Sequence, residues 1–455
     1  MSIKRDPAVE IHRFTVGILK VKPRLRSSEA KLLIKTARDA FIALILGSVA
    51  AVAQVPAATR TLANPKFQAA EDFIAADHDR LVREIIQLTE IEAPPFKEEK
   101  RARAFAEMLR QSGLSDVDID AEGNVIGVRK GIGAGPLIAI AAHLDTVFPE
   151  GTNVKVRREG TKLRAPGVGD DSRALAVLLA IVRALDAAKI QTASDILFIG
   201  NVGEEGPGDL RGMKYLFHKG PYKDKIKMFI SLDPYGPGND ITVGGIGSKR
   251  FKVTFKGPGG HSFGSFGLVS PAYALGNGIA KLSRMPVPSR PKTTFNVGVI
   301  GGGTSVNSIP FESWMDVDIR SETKEELNKA VETFTRLMRE AAEEENRTRS
   351  TSQGKVEVEV KLIGDRPFGQ IAMSAPIVQT AASIVEGLGM TPAYGVSSTD
   401  SNIPMSMGIP ALTLESGGMG GRNHTLDEWI DVEKPTSVRG INASMGILLA
   451  LAGLQ

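Results

Sequence analysis

Four stretches of the chain lead into acidic or imidazole side chains, and a plain hydrophobic core has no use for that pattern. The first is AIAAHLDTVF, in which His143 and Asp145 follow the apolar residues 136–142. Residues two apart on a strand project to the same side, so both side chains leave the sheet together. The others are GVGDD at 167–171, FIGNVGEE at 198–205 and FISLDP at 229–234. Open α/β sheets place their sites at the carboxyl ends of their strands. Those ends offer His143, Asp170, Glu204, Glu205 and Asp233, and His424 follows late in a glycine-rich loop.

Zero cysteines exclude disulfides, thiol catalysis and thiolate-held metal. A metal here would be held by imidazole and carboxylate alone, and the chain has six histidines: His12, His78, His143, His218, His261 and His424. A neutral His143 imidazole is a good ligand, and Asp145 offers the carboxylate that fixes its tautomer. The same triplet taken alone is weak and reads better as a surface pair. GVGDD opens an apolar helix at 174–185. Asp170 could give one oxygen to each of two cations, or Asp170 or Asp171 could simply cap that helix. Glu204 and Glu205 suit a division of labour, one carboxylate on a metal and one taking a proton, although an isolated pair is an ordinary solvated turn. The succession of such strand ends favours a site.

A chain of 455 residues with 42% hydrophobic and 24% charged residues implies a soluble globular protein of two or more domains. Its formal charge of +4 is small and its basic residues form no stripe, which argues against nucleic acid and other polyanionic substrates. Residues 1–60 read as a leader. The apolar run 41–53, after Lys31, Lys35 and Arg38, fits the core of a late-starting signal peptide and is too short for a stable membrane anchor. A periplasmic or secreted protein is therefore expected, or a cytoplasmic one if the run is an ordinary helix. Helices are expected between Pro65 and Gly113, broken at EAPPFKEE, and strands on either side of Gly123-Asn124. From 246 to 363 the pattern becomes β-α-β-β-α-β, a separate α+β domain inserted between 61–245 and 364–455. A helix from Val438 to Leu451 closes the chain.

In motif content the chain resembles the co-catalytic zinc peptidase and deacylase family that includes peptidase T, glutamate carboxypeptidase, aminoacylase and acetylornithine deacetylase. The resemblance runs from about 75 to 450 through HLD at 143–145, GVGDD at 167–171, EE at 204–205, DP at 233–234, GPGGH at 257–261, SVNSIP at 305–310 and NHTLDEW at 423–429. It implies an α/β fold: a three-layer α/β/α catalytic domain with an inserted ferredoxin-like α+β lid that also dimerises. It implies two zinc ions, although the donors also admit Co²⁺ or Mn²⁺. His143, Asp170 and Asp233 would hold one, and Asp170, Glu205 and His424 the other. Glu204 would be the general base, with Asp145 orienting His143 and a cis bond between Asp170 and Asp171. His261 would reach across a homodimer to the oxyanion, and Arg320 and Asn307 would contact the substrate, a small peptide or an N-acyl amino acid. Two features depart from the pattern. Ser172-Arg173-Ala174 after the aspartate pair should alter packing behind the metals. Asp233 stands where glutamate is typical of the carboxypeptidase and deacetylase side, which favours aminopeptidase-, dipeptidase- or tripeptidase-like activity.

Overall fold

The computed structural model describes residues 57–233 and 235–455. The run 41–53 lies outside them; among the described residues no helix is long and apolar enough to cross a membrane. Helix α1 (Pro65–Thr89) starts with Pro65 in its first turn and the Asn64 side chain accepting from the Lys66 amide. After the Pro94-Pro95 break comes α2 (Glu99–Gln111). The chain then lays down β1 (Asp116–Ile119), β2 (Val125–Arg129), β3 (Leu137–His143), helix α3 (Ser172–Ala187), β4 (Ile196–Asn201), helix α4 (Arg211–His218), β5 (Ile226–Leu232) and β6 (Asp240–Gly245).

The inserted segment follows as β7 (Gly247–Lys256), α5 (Pro271–Leu282), β8 (Thr293–Gly302), β9 (Glu312–Ser321), α6 (Lys324–Thr348) and β10 (Glu357–Arg366). The chain returns through β11 (Gly369–Gln370), α7 (Pro376–Gly387), β12 (Ala393–Ser397), α8 (Asn402–Ser406), β13 (Ala411–Leu414) and α9 (Lys434–Ala452). The closing helix begins four residues before Val438, because the Glu433 side chain accepts from the Thr436 amide at 3.0 Å and Pro435 fits the first turn.

The central sheet runs β1-β2-β4-β3-β5-β13-β6-β11, with β12 also on β6. Its middle strands β4, β3, β5 and β13 are mutually parallel, so their carboxyl ends share one edge. Residues 138–143 of β3 and all of β4 are buried on both pleat faces, which requires helices on both sides of the sheet. The result is the three-layer α/β/α arrangement. Register then does the positioning. His143 pairs with Asn201, and Ala141 pairs with Ser231, so two residues further on Asp233 emerges beside His143.

The inserted α+β segment has its own four-stranded antiparallel sheet, β8-β9-β7-β10, and its own core around Val253, Phe255, Phe334 and Met338. Alternation along β9 turns Met315, Val317 and Ile319 into that core and puts Trp314, Asp316, Asp318 and Arg320 on the other face. Asp318 lies opposite Arg250 of β7, and Arg366 of β10 lies opposite Ser248.

Candidate metal centre

His143 is buried at the end of β3, and its Nδ1 lies 3.0 Å from the backbone oxygen of Asp145. A carbonyl can only accept, so Nδ1 carries the proton and Nε2 presents a lone pair. That lone pair faces Asp170 Oδ1 at 2.9 Å, where the carboxylate oxygen forms no hydrogen bond of its own. On the other side of Asp170, His424 Nε2 is 3.2 Å from Oδ2 and 2.8 Å from Glu205 Oε1. The His143 lone pair pointed at a carboxylate oxygen needs positive charge between the two, whereas His424 Nε2 faces its carboxylates either through a proton or through a cation. Ligand atoms of His143, Asp170 and Asp233 lie within 4.8 Å of one another, as do those of Asp170, Glu205 and His424. Two cation-sized groupings thus share one aspartate, and their oxygen and nitrogen donors fit divalent metals. Glu204 also comes within the same reach of His143 and Glu205.

The electrostatics of the protein alone point the same way. Burial and the neighbouring Asp170 push Glu205 up to about 7, and the same two causes raise Asp233 well above the usual carboxylate range. Hydrogen bonds to Asp170 and Glu205 lift His424 to about 10. Burial alone would lower His143 and raise Asp170. The contact between them outweighs it, so His143 rises and, with His424 helping, Asp170 falls below its ordinary value. Acids crowded in this way recruit protons when no other cation compensates them.

Supporting groups differ in part from expectation. The Asp145 carboxylate is not the hydrogen-bond partner of His143, from whose Nδ1 its nearer oxygen is 3.7 Å away. It instead accepts from the amides of Glu204 at 3.0 Å and Glu205 at 2.8 Å, and the tautomer is fixed by the Asp145 backbone. Neither aspartate side chain caps α3, since Asp171 accepts from the His143 amide at 3.0 Å. The Asp170–Asp171 peptide bond is cis. Arg173 is buried behind the site, donating to Ser416 O and Ser437 Oγ. His424 sits near the tip of a hairpin whose strands Met419–Gly421 and Trp429–Asp431 pair, rather than in a free glycine loop. Arg320 lines the cleft in front of the acids. His261 and Asn307 lie away from that lining, on an exposed ribbon where Gly260–His261 pairs with Ser308–Ile309.

The sequence profile of peptidase family M20/M25/M40 matches residues 139–449, more than half of the chain and every residue of both groupings. The chain belongs to this family. It is a hydrolytic enzyme, and solved structures share its two-part architecture. An aminopeptidase PepT from Bacillus cereus superposes with a TM-score of 0.64 at 24% identity, over 82% of this chain and 99% of that one. A protein from Bacillus subtilis, described as a dinuclear metal-binding peptidase of family M20, gives a TM-score of 0.60 at 19% identity, over 83% and 99%. Among sequence relatives, a succinyl-diaminopimelate desuccinylase from Corynebacterium glutamicum is 25% identical over 364 residues, 78% of this chain and 93% of that protein.

Three charged residues of this M20/M25/M40 hydrolase went unread in its sequence. Glu428 accepts from the amides of Gly167, Gly169 and Asp170, pinning the aspartate turn, while burial and then Asp170 push it up to about 7. Arg101, fully buried, donates to Leu144 O and Ile91 O and anchors the exit of β3. Arg366 Nη1 donates to Glu204 Oε1 at 2.9 Å, and its Nη2 donates to the Glu204 backbone oxygen. The available signal was weak. Glu428 stood inside NHTLDEW, but nothing local linked Arg101 or Arg366 to the site.

Proposed function

We propose that this hydrolase is a two-metal peptidase cleaving amide bonds of small peptides, with zinc the expected metal and Co²⁺ or Mn²⁺ compatible with the donors. The observation that carries this reading is the pair of ligand groupings sharing Asp170. Two divalent cations held by His143, Asp170, Asp233, Glu205 and His424 would polarise the scissile carbonyl and acidify the attacking water. Glu204 is the general base. Arg366 occupies its Oε1, whereas Oε2 makes no hydrogen bond among the described residues and is the atom that takes the water's proton and passes it to the departing amine. Asp145 holds the two glutamates through their amides and His143 through its own backbone. Arg320, on the lid formed by 246–363, contacts the substrate's carboxylate from the cleft, whereas Asn307, on the exposed ribbon beside His261, would reach only the substrate of a second copy.

His261 belongs to a homodimer in this reading. Its Nδ1 accepts from the Phe263 and Gly264 amides, so Nε2 carries the proton and is exposed as a donor for the developing oxyanion of a second copy. Exposed Phe263, Phe266 and Phe311 around the ribbon support a surface covered by protein. If the run 41–53 acts as a signal, the enzyme works outside the cytoplasm. The desuccinylase relative favours one second reading, an N-acyl amino-acid deacylase with the same centre.

Glu204→Gln should retain its metal content and lose about 10²- to 10⁴-fold in turnover. Normal turnover in that variant would remove Glu204 from the mechanism. Asp170→Ala should bind neither metal, and full occupancy measured by elemental analysis would end the bridging assignment. A screen of dipeptides, tripeptides, blocked peptides and N-acetyl amino acids separates peptidase from deacylase.

A further inference from the structure

Arg173 stands where the stretch after the aspartate pair departs from the family pattern. It is the second residue of α3 and is fully buried, yet among the described residues no carboxylate pairs with it. Burial lowers its pKa to about 10, and its Nη1 makes no hydrogen bond. A buried ion without a counter-charge costs stability that an apolar side chain of similar volume would not. A guanidinium kept there is held for what its donors reach.

Those donors converge on the root of the hairpin that carries His424. Nε donates to the Ser416 backbone oxygen at 3.3 Å, just after β13, and Nη2 donates to Ser437 Oγ at 2.7 Å, in the first turn of α9. The guanidinium packs on the two glycines between them. A Cβ on Gly417 would come to 3.0 Å from Nη2, and one on Gly418 to 3.0 Å from Nη1 and 2.7 Å from the Asp431 backbone oxygen. Gly418 leads into the strand Met419–Gly421, and Asp431 ends the strand paired with it, so the guanidinium lies against the base of the hairpin. Nearer the tip, Glu428 binds the amides of Gly167, Gly169 and Asp170. The segment from Gly167 to Arg173 therefore holds the hairpin at two places, and Asp170 and His424 belong to one ligand grouping.

We propose that Arg173 is a positioning residue for the cation site of Asp170, Glu205 and His424, fixing the hairpin root against α3 and so setting the reach of His424 to Asp170. The grouping of His143, Asp170 and Asp233 has no member on the hairpin. Loss of Arg173 therefore weakens one metal and spares the other. The inference rests on the two-metal reading above and deepens it.

The test titrates Zn²⁺ into the metal-free full chain by calorimetry, where the wild type should bind two ions. Arg173→Met, similar in bulk but without donors, should keep one ion at wild-type affinity and bind the other about 10- to 100-fold more weakly, the usual cost of losing a group that orients a ligand. Arg173→Lys keeps the charge but not the fork and should recover only part of that loss. Ser437→Ala, which removes one acceptor, should weaken the same ion by a few-fold. In the metal-free chain, amide hydrogen exchange across 417–431 should speed up in Arg173→Met. Its denaturant midpoint should stay at or above the wild-type value, because the buried charge is gone. That combination separates positioning from a general loss of structure. Two ions bound at wild-type affinity in Arg173→Met, equal weakening of both, or unchanged exchange in the hairpin overturns the proposal. Should Arg173→Met fail to fold, Ser437→Ala decides by the same titration. A wild type that takes up a single ion counts against the two-metal reading, and exchange in the hairpin still decides whether Arg173 holds it.

Discussion

Asp145 shows how one buried carboxylate can organise a site without touching the reacting atoms. Its two oxygens accept from consecutive amides, those of Glu204 and Glu205, and burial holds its pKa up at about 6. Those amides belong to the residues proposed as base and ligand, so the position of both side chains depends on Asp145. Asparagine at this position keeps one acceptor and turns an NH₂ group toward an amide N–H. Asp145→Asn should therefore cost about 1–3 kcal/mol of stability by denaturant unfolding. Turnover should drop while His143, still bonded to the backbone of residue 145, keeps its metal. A variant with wild-type stability and turnover would mean that the glutamate turn holds its shape unaided.

At the scale of elements, the clustering of the candidate ligands was legible because it obeys a general rule: parallel strands bring their carboxyl ends to one edge. His143 ends β3, Glu205 and Asp233 follow β4 and β5, and Asp170 lies just before α3. The β-α-β-β-α-β order of the inserted segment was legible for a similar reason, since alternation in β9 and the amphipathic face of α6 are local signals. What stayed hidden depends on distant partners. Arg366 meets Glu204 across 162 positions and Glu428 meets Asp170 across 258, and no local periodicity encodes either pairing. The hairpin carrying His424 was hidden because its strands are three residues each, too short to show alternation. Helix α1 hides another long-range effect. His78 is buried with Nε2 unpartnered, and burial, then Arg173 and Lys434, lower its pKa from the usual 6.5. The neutral ring is therefore the form the fold prefers, and its contribution is present above the unfolded-state value and lost as pH falls through the lower folded value. His78→Gln should be less stable than the wild type at pH 8 but lose less stability between pH 7 and pH 5. Parallel stability curves for the two proteins would show that His78 does not titrate on unfolding.

At the scale of the whole molecule, the inserted domain is joined to the catalytic sheet by two crossings of the chain, and Asn402 bonds to both. Its Nδ2 donates to Ile246 O and to Pro367 O, each at 2.9 Å, while its Oδ1 accepts from the Thr399 amide at 2.9 Å. The side chain is buried, and β6 ends in Gly245 because a Cβ there would come within 2.6 Å of Asn402 Cγ. Further contacts cross between the two parts nearer the cleft: Arg366 with Glu204, Arg250 with Gly206 O, and the Asp365 amide with Asp209. The fixed point of any hinge motion is then Asn402, and the arginine contacts are what opening would break. Asn402→Ala removes both donated bonds, at a cost of about 1–3 kcal/mol. Asn402→Asp is the sharper probe, because it sets a carboxylate oxygen against two carbonyl oxygens and should be the less stable of the two. Both variants should be cut faster than the wild type by limited proteolysis near 245–247 and 366–368, with kcat/KM reduced as Arg250 and Arg366 lose their fixed distance from the acids. Cleavage at wild-type rates in both variants would transfer the hinge constraint from Asn402 to the arginine contacts.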